Sequence, residues 1–167
     1  MPRKPRIEYE GANDHVMNRG DRREDIVFGD ADREPFVQTL AETRAKCGWE
    51  VRAWCLMRNH FHLALETPLA NLVAGMKWFL GAYTIRFNAR NRLRGHLFSG
   101  RYKSLIVEDR DPHCLRVVCD YIHLNPARAG LLKREKSLAA YLWSSYPGYL
   151  ERPAERPNWQ FRPMQAQ

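Results

Sequence analysis

Met57-Arg58-Asn59-His60-Phe61-His62-Leu63-Ala64-Leu65-Glu66 reads as a turn running into a β-strand whose two faces differ in chemistry. Successive side chains of a strand point to opposite sides. Phe61, Leu63 and Leu65 therefore share an apolar face, and His60 and His62 share the other. Two imidazoles side by side on a sheet make half of a metal site, and the apolar face asks for a helical layer to cover it.

The flanking segments supply that layer. Upstream, His15 to Arg19 reads as a first strand closed by Gly20, and Asp30 to Lys46 places Phe36, Val37, Leu40 and Ala41 at helical spacing before Gly48 stops it. Trp49 to Leu56 is apolar on both faces, as expected of a central strand. Downstream, Leu72, Met76, Phe79, Leu80, Tyr83 and Phe87 mark a long amphipathic helix over 71–92. Ser104 to Val107 is a short strand, and Asp111-Pro112 is a helix start with an acidic cap; that helix is expected to end at Asn125, before Pro126. The order strand, helix, strand, strand, helix, strand predicts an α+β ferredoxin-like sandwich with a mostly antiparallel sheet. One helix is then left over. If the first two helices cover Phe61, Leu63 and Leu65, the last is free to pack on the histidine face and bring Tyr121 to it.

The chain has 167 residues, room for one domain with a full core. Its expected organisation is a basic, mobile arm over 1–13, a catalytic domain over 14–134 and a C-terminal extension over 135–167. Lys and Arg number 27 against 19 Asp and Glu, a net charge of +8 that favours a polyanionic partner. Arg86, Arg90, Arg92, Arg94, Arg101 and Lys103 fall together with no acidic residue before Glu108. With Arg128 they are the candidate phosphate contacts, and Tyr102, Phe98 and Trp78 are candidate stacking partners for unpaired bases, Trp78 being better read as core. Cys47, Cys55, Cys114 and Cys119 form no CxxC pair, which suggests reduced thiols in a cytoplasmic protein. No stretch reaches the length of a membrane span.

Tyr121 and Asn125 stand at helical i, i+4 spacing. Two imidazoles, a carboxamide and a phenol suggest nucleophilic attack on a phosphodiester. His60, His62 and Asn125 would hold a divalent cation with several open positions, which suits Mg²⁺ or Mn²⁺; zinc is the alternative, without its usual third His, Cys or carboxylate ligand. Attack by Tyr121 would conserve the energy of the broken bond, and the chain carries no P-loop or other nucleotide-binding glycine pattern.

These residues carry a resemblance. In order along the chain, His15-Val16-Met17-Asn18-Arg19-Gly20, Asn59-His60-Phe61-His62, Gly95-His96-Leu97-Phe98-Ser99-Gly100-Arg101-Tyr102-Lys103-Ser104, Tyr121-Ile122-His123-Leu124-Asn125-Pro126-Ala127-Arg128-Ala129-Gly130-Leu131 and Trp143-Ser144-Ser145-Tyr146 resemble the HUH single-tyrosine transposases. The Trp143 segment is most like the REP-associated tyrosine transposase branch. The resemblance implies binding of hairpin or single-stranded DNA by a monomer or homodimer, with His60 and His62 as metal ligands and Asn125 as a third polar ligand. It further implies cleavage by Tyr121 through a 5′-phosphotyrosine intermediate that leaves a free 3′-OH. Arg58 departs from the proline often found before Asn-His in these proteins.

Other functions fit less well. A replication initiator with the same chemistry usually carries a helicase or further domain, for which the chain has no room. A histidine-triad hydrolase needs a histidine where Ala64 stands. A domesticated protein that binds hairpin DNA without cutting it differs in class and is separated only by experiment.

Overall fold

Burial alternates strictly along β1 (Ala12–Arg19), where Ala12, Asp14, Val16 and Asn18 are buried and the residues between them are partly exposed. The computed structural model describes residues 6–108, 111–152 and 154. After β1 come α1 (Asp30–Cys47), β2 (Glu50–Leu56), β3 (His60–Thr67), α2 (Leu72–Asn91), β4 (Lys103–Val107), α3 (Pro112–Arg128) and the short α4 (Tyr146–Leu150). The four strands form one antiparallel sheet in the order β2-β3-β1-β4, which is the expected ferredoxin-like arrangement.

Two cores lie on opposite sides of this sheet. Phe61, Leu63 and Leu65 of β3 join Val16, Trp54 and Leu56 beneath Phe36 and Leu40 of α1 and Met76, Phe79, Tyr83 and Phe87 of α2. Ala53, Cys55 and Ala64 meet Ile122 of α3 on the other side, with Leu115, Val118 and Cys119 packed around them. The unpartnered helix thus does cover the histidine face, as strand parity predicts.

Gly75 is where α2 approaches the β2 end of the core. A Cβ there would lie 2.1 Å from the Trp49 ring. Trp49 is fully buried and pinned by a hydrogen bond from its Nε1 to Asn71 Oδ1 at 2.9 Å, so the ring has nowhere to move. Gly75→Ala is expected to cost about 1–3 kcal/mol through overpacking, despite alanine's better helix propensity. Urea unfolding would show it as a lowered midpoint; an unchanged or raised midpoint would mean that the helix shifts freely.

Three expectations need correction. First, β2 is an edge strand, not a central one. Its double-sided apolarity reflects a helix on each face, and its free edge is capped by the chain after α3. Leu56 N–H donates to Trp143 O and Ser145 N–H to Trp54 O, both at 2.9 Å. Covering an edge in this way removes a template for unwanted pairing. Second, α3 continues through Pro126 to Arg128. A proline near a helix end forfeits one backbone bond, and here its ring is buried while Ala129 N–H still reaches Asn125 O at 2.9 Å. Third, the stretch 1–13 is not uniformly a mobile arm. β1 already begins at Ala12, the Arg6 guanidinium stacks 3.7 Å from the centre of the Tyr102 ring, and Glu8 accepts from Val73 N–H at 2.6 Å. Residues 1–5 of that stretch, and all beyond 152 of the C-terminal extension except 154, lie outside the described residues.

Cys47, Cys55, Cys114 and Cys119 are free thiols. Among the described residues no helix is long and apolar enough to cross a membrane.

Candidate active site

Strand register assembles the site. Across the sheet, Arg19 pairs with His60, Met17 with His62 and His15 with Ala64, so Arg19, Met17 and His15 of β1 share the face of the two histidines. His15 reaches diagonally to His62, with its Nε2 3.1 Å from His62 Nδ1. His60 Nδ1 lies 2.7 Å from Asn59 Oδ1. Among the described residues, each histidine of the pair therefore has its Nδ1 engaged and its Nε2 uncommitted. Burial holds all three rings towards the neutral form, and for His62, aided by the neighbouring histidines and Arg19, the pKa falls to about 3. A neutral imidazole with a free Nε2 and an oriented Nδ1 is what metal ligation requires.

Tyr121 closes over this face from α3. Its ring centre lies 5.8 Å from those of both His15 and His62, edge-on to each, and the residue is 40% exposed, so substrate can reach it. Ile122, the next residue, is fully buried and fixes the helix against Ala53 and Ala64. The added turn of α3 brings Arg128, at i+7 from Tyr121, onto the same side, where its guanidinium carbon lies 5.2 Å from the Tyr121 ring centre. Asn125 turns its amide back, donating from Nδ2 to Tyr121 O at 3.5 Å, and makes no hydrogen bond to either histidine. Among the described residues no three His, Cys, Asp or Glu side chains are arranged to hold a metal. A cation here would rest on two imidazoles plus ligands of another kind.

The C-terminal extension locks the tyrosine helix in place. His123 is buried with its Nε2 2.7 Å from Ser145 Oγ, and Ser145 Oγ accepts from Trp54 N–H at 2.9 Å. This chain of bonds ties α3 to β2 through the capping segment. Burial lowers the His123 pKa to about 4, so between its ordinary value of 6.5 and about 4 the unfolded chain binds a proton that the folded chain refuses. Stability must then fall as pH drops through that window. Urea unfolding at a series of pH values should show His123→Asn losing less stability than wild type on acidification, by on the order of 2 kcal/mol. Equal slopes would place the acid sensitivity elsewhere.

The basic residues divide into two groups. Lys103, opposite Met17 in β4, lies on the histidine face and is exposed. Arg92, Arg94 and Arg101 are exposed on the segment between α2 and β4, which passes the end of β1 through a bridge between Phe98 and Gly20. Arg86 and Arg90 are not brought to the site. Arg86 bonds Glu42 and Thr39 of α1, both at 2.7 Å, and Arg90 approaches Asp32 at 3.5 Å, so both knit the helical layer on the far side of the sheet. Phe98 and Tyr102 are buried and unavailable for base stacking, whereas Trp78 is half-buried under Lys46.

The family described as Transposase IS200 like matches residues 8–125, most of the chain. The chain belongs to the IS200-like transposases. The matched segment holds His15, His60, His62, Tyr121 and Asn125, and stops short of Arg128 and the capping segment. The fold of this IS200-like, HUH-type chain resembles a solved structure of a REP-associated tyrosine transposase bound to a REP hairpin, at a TM-score of 0.70 and 15% identity over 88% of this chain and 84% of that one. It also resembles a candidate transposase from Deinococcus radiodurans, at a TM-score of 0.50 and 20% identity over 72% of this chain and 95% of that one. No curated protein matches it.

Proposed function

We propose that this transposase is a single-strand-specific DNA endonuclease and strand transferase of the REP-associated kind, which recognises hairpin DNA and cleaves it through Tyr121. The observation that carries the reading is the meeting of Tyr121 with His15 and His62 on one sheet face. In the proposed step the Tyr121 oxygen bonds to the scissile phosphorus as the bond from phosphorus to the 3′ oxygen breaks. The phenol loses its proton and the departing 3′ oxygen gains one, so the products are a 5′-phosphotyrosine and a free 3′-OH. Reversal by another 3′-OH joins strands without an external energy source.

The donor set fits a divalent cation, Mg²⁺ or Mn²⁺. His60 and His62 would hold it through their uncommitted Nε2 atoms, with Asn125 Oδ1 as the candidate third ligand. When bound, such an ion withdraws charge from a non-bridging phosphate oxygen. Of the chain's own residues, His15 fixes the His62 ring by accepting its Nδ1–H, and Asn59 does the same for His60. Arg128 lies over the face of the Tyr121 ring, and together with Lys103, Arg92, Arg94 and Arg101 it offers positive charge to the DNA backbone. The hairpin-bound relative of the same fold supports the choice of substrate.

The test uses end-labelled hairpin oligonucleotides from the DNA flanking the chain's own gene, with Mg²⁺, Mn²⁺ or chelator. The expected result is cleavage in the single-stranded flank, dependent on the cation. Tight binding with no cleavage under any condition would favour the binding-only alternative.

A further inference from the structure

Arg19 ends β1 directly opposite His60, on the face that carries Tyr121. Its backbone is held from both sides: its N–H donates to Asn18 Oδ1 and its carbonyl accepts from Ser99 N–H, each at 2.9 Å. The guanidinium above that fixed backbone is half-buried, and its Nε is fully enclosed without a hydrogen-bond partner. Among the described residues no carboxylate pairs with it, whereas Arg86 and Arg90 of the helical layer reach Glu42 and Asp32.

A charged N–H enclosed without a partner is costly, because removing such a donor from water is repaid only by a hydrogen bond. Such an arrangement is relieved by an anion. The guanidinium fork matches the oxygens of a phosphate diester better than any other side chain.

We propose that Arg19 is the phosphate clamp of this site, binding the non-bridging oxygens of the scissile diester and stabilising the charge they gain when Tyr121 attacks. The proposal rests on the cleavage reading above for its catalytic half, and on geometry alone for its binding half. It also separates Arg19 from the exposed arginines of the segment before β4. Those contact DNA where solvent screens them; Arg19 acts in a partly enclosed site, where a charged hydrogen bond is worth more.

Two measurements decide it. In the first, the Arg19 Nε–H resonance, assigned by its absence in Arg19→Lys protein, is followed by NMR while the dinucleotide thymidylyl-thymidine is titrated in. A saturable downfield shift is expected; a resonance that stays still while those of the exposed arginines move would overturn the binding half. In the second, Arg19→Gln should slow single-turnover hairpin cleavage by on the order of 10²–10³-fold, with Arg19→Lys recovering part of the loss. Wild-type rates in a folded Arg19→Gln protein would overturn the catalytic half and leave the Tyr121 reading intact. If wild type itself does not cleave, the Tyr121 reading fails, and the NMR titration still answers for Arg19.

Discussion

Tyr121→Phe is expected to abolish DNA cleavage, by on the order of 10⁴-fold or more, while leaving fold and DNA binding unchanged. Loss of one oxygen removes the proposed nucleophile and nothing structural. The Tyr121 hydroxyl makes no hydrogen bond among the described residues, and the residue is 40% exposed. Its ring contacts with His15, His62 and Arg128 are all kept by phenylalanine. Stability should therefore stay within about 0.5 kcal/mol of wild type. The check is a parallel series of gel-shift, cleavage and unfolding measurements. Residual cleavage above about a tenth of the wild-type rate would rule Tyr121 out as the nucleophile.

The next largest effects are expected at the histidine pair. His60→Ala and His62→Ala should each weaken Mn²⁺ binding below detection by calorimetry and lower cleavage by on the order of 10²–10³-fold, since a phosphate-bound cation supplies several kcal/mol. His15→Ala removes no proposed ligand but frees His62 Nδ1 from its partner at 3.1 Å. It should cost about 10–100-fold in Mn²⁺ affinity and keep a measurable site. This graded order distinguishes ligands from the residue that orients one of them. Equal losses at all three positions would instead mean that His15 itself binds the ion, and unchanged affinity at all three would remove the cation from this face.

Much of this site was legible in the chain because strand parity is a hard constraint. Once Phe61, Leu63 and Leu65 claim one face for α1 and α2, His60 and His62 must lie on the other, and α3 is the helix left to cover it. His15 was not legible as a site residue. It sits alone in its strand, and its approach to His62 depends on a register between β1 and β3 that local pattern does not reveal. Arg19 was hidden for the same reason.

The charge cluster misled in a different way. Arg86 and Arg90 look continuous with the basic segment that follows, yet helical geometry turns them towards Glu42 and Asp32, acids far upstream that a count of local charge omits. Pro126 marked a helix end that the buried ring in fact tolerates, and the extra turn is what carries Arg128 to the tyrosine. Apolarity on both faces of β2 spoke of coverage and not of a central place in the sheet, since a capping segment from the C-terminal side occupies its edge.

The central claim is that Tyr121 becomes covalently joined to DNA, and peptide mapping tests it most directly. Wild-type protein would be incubated with a hairpin oligonucleotide and Mn²⁺, denatured, digested with nuclease and protease, and its peptides weighed. The account predicts a nucleotide remnant joined through a 5′ phosphate to the peptide containing Tyr121, absent with chelator and absent from Tyr121→Phe protein. A remnant on any other residue, or efficient cleavage with no remnant at all, would contradict it.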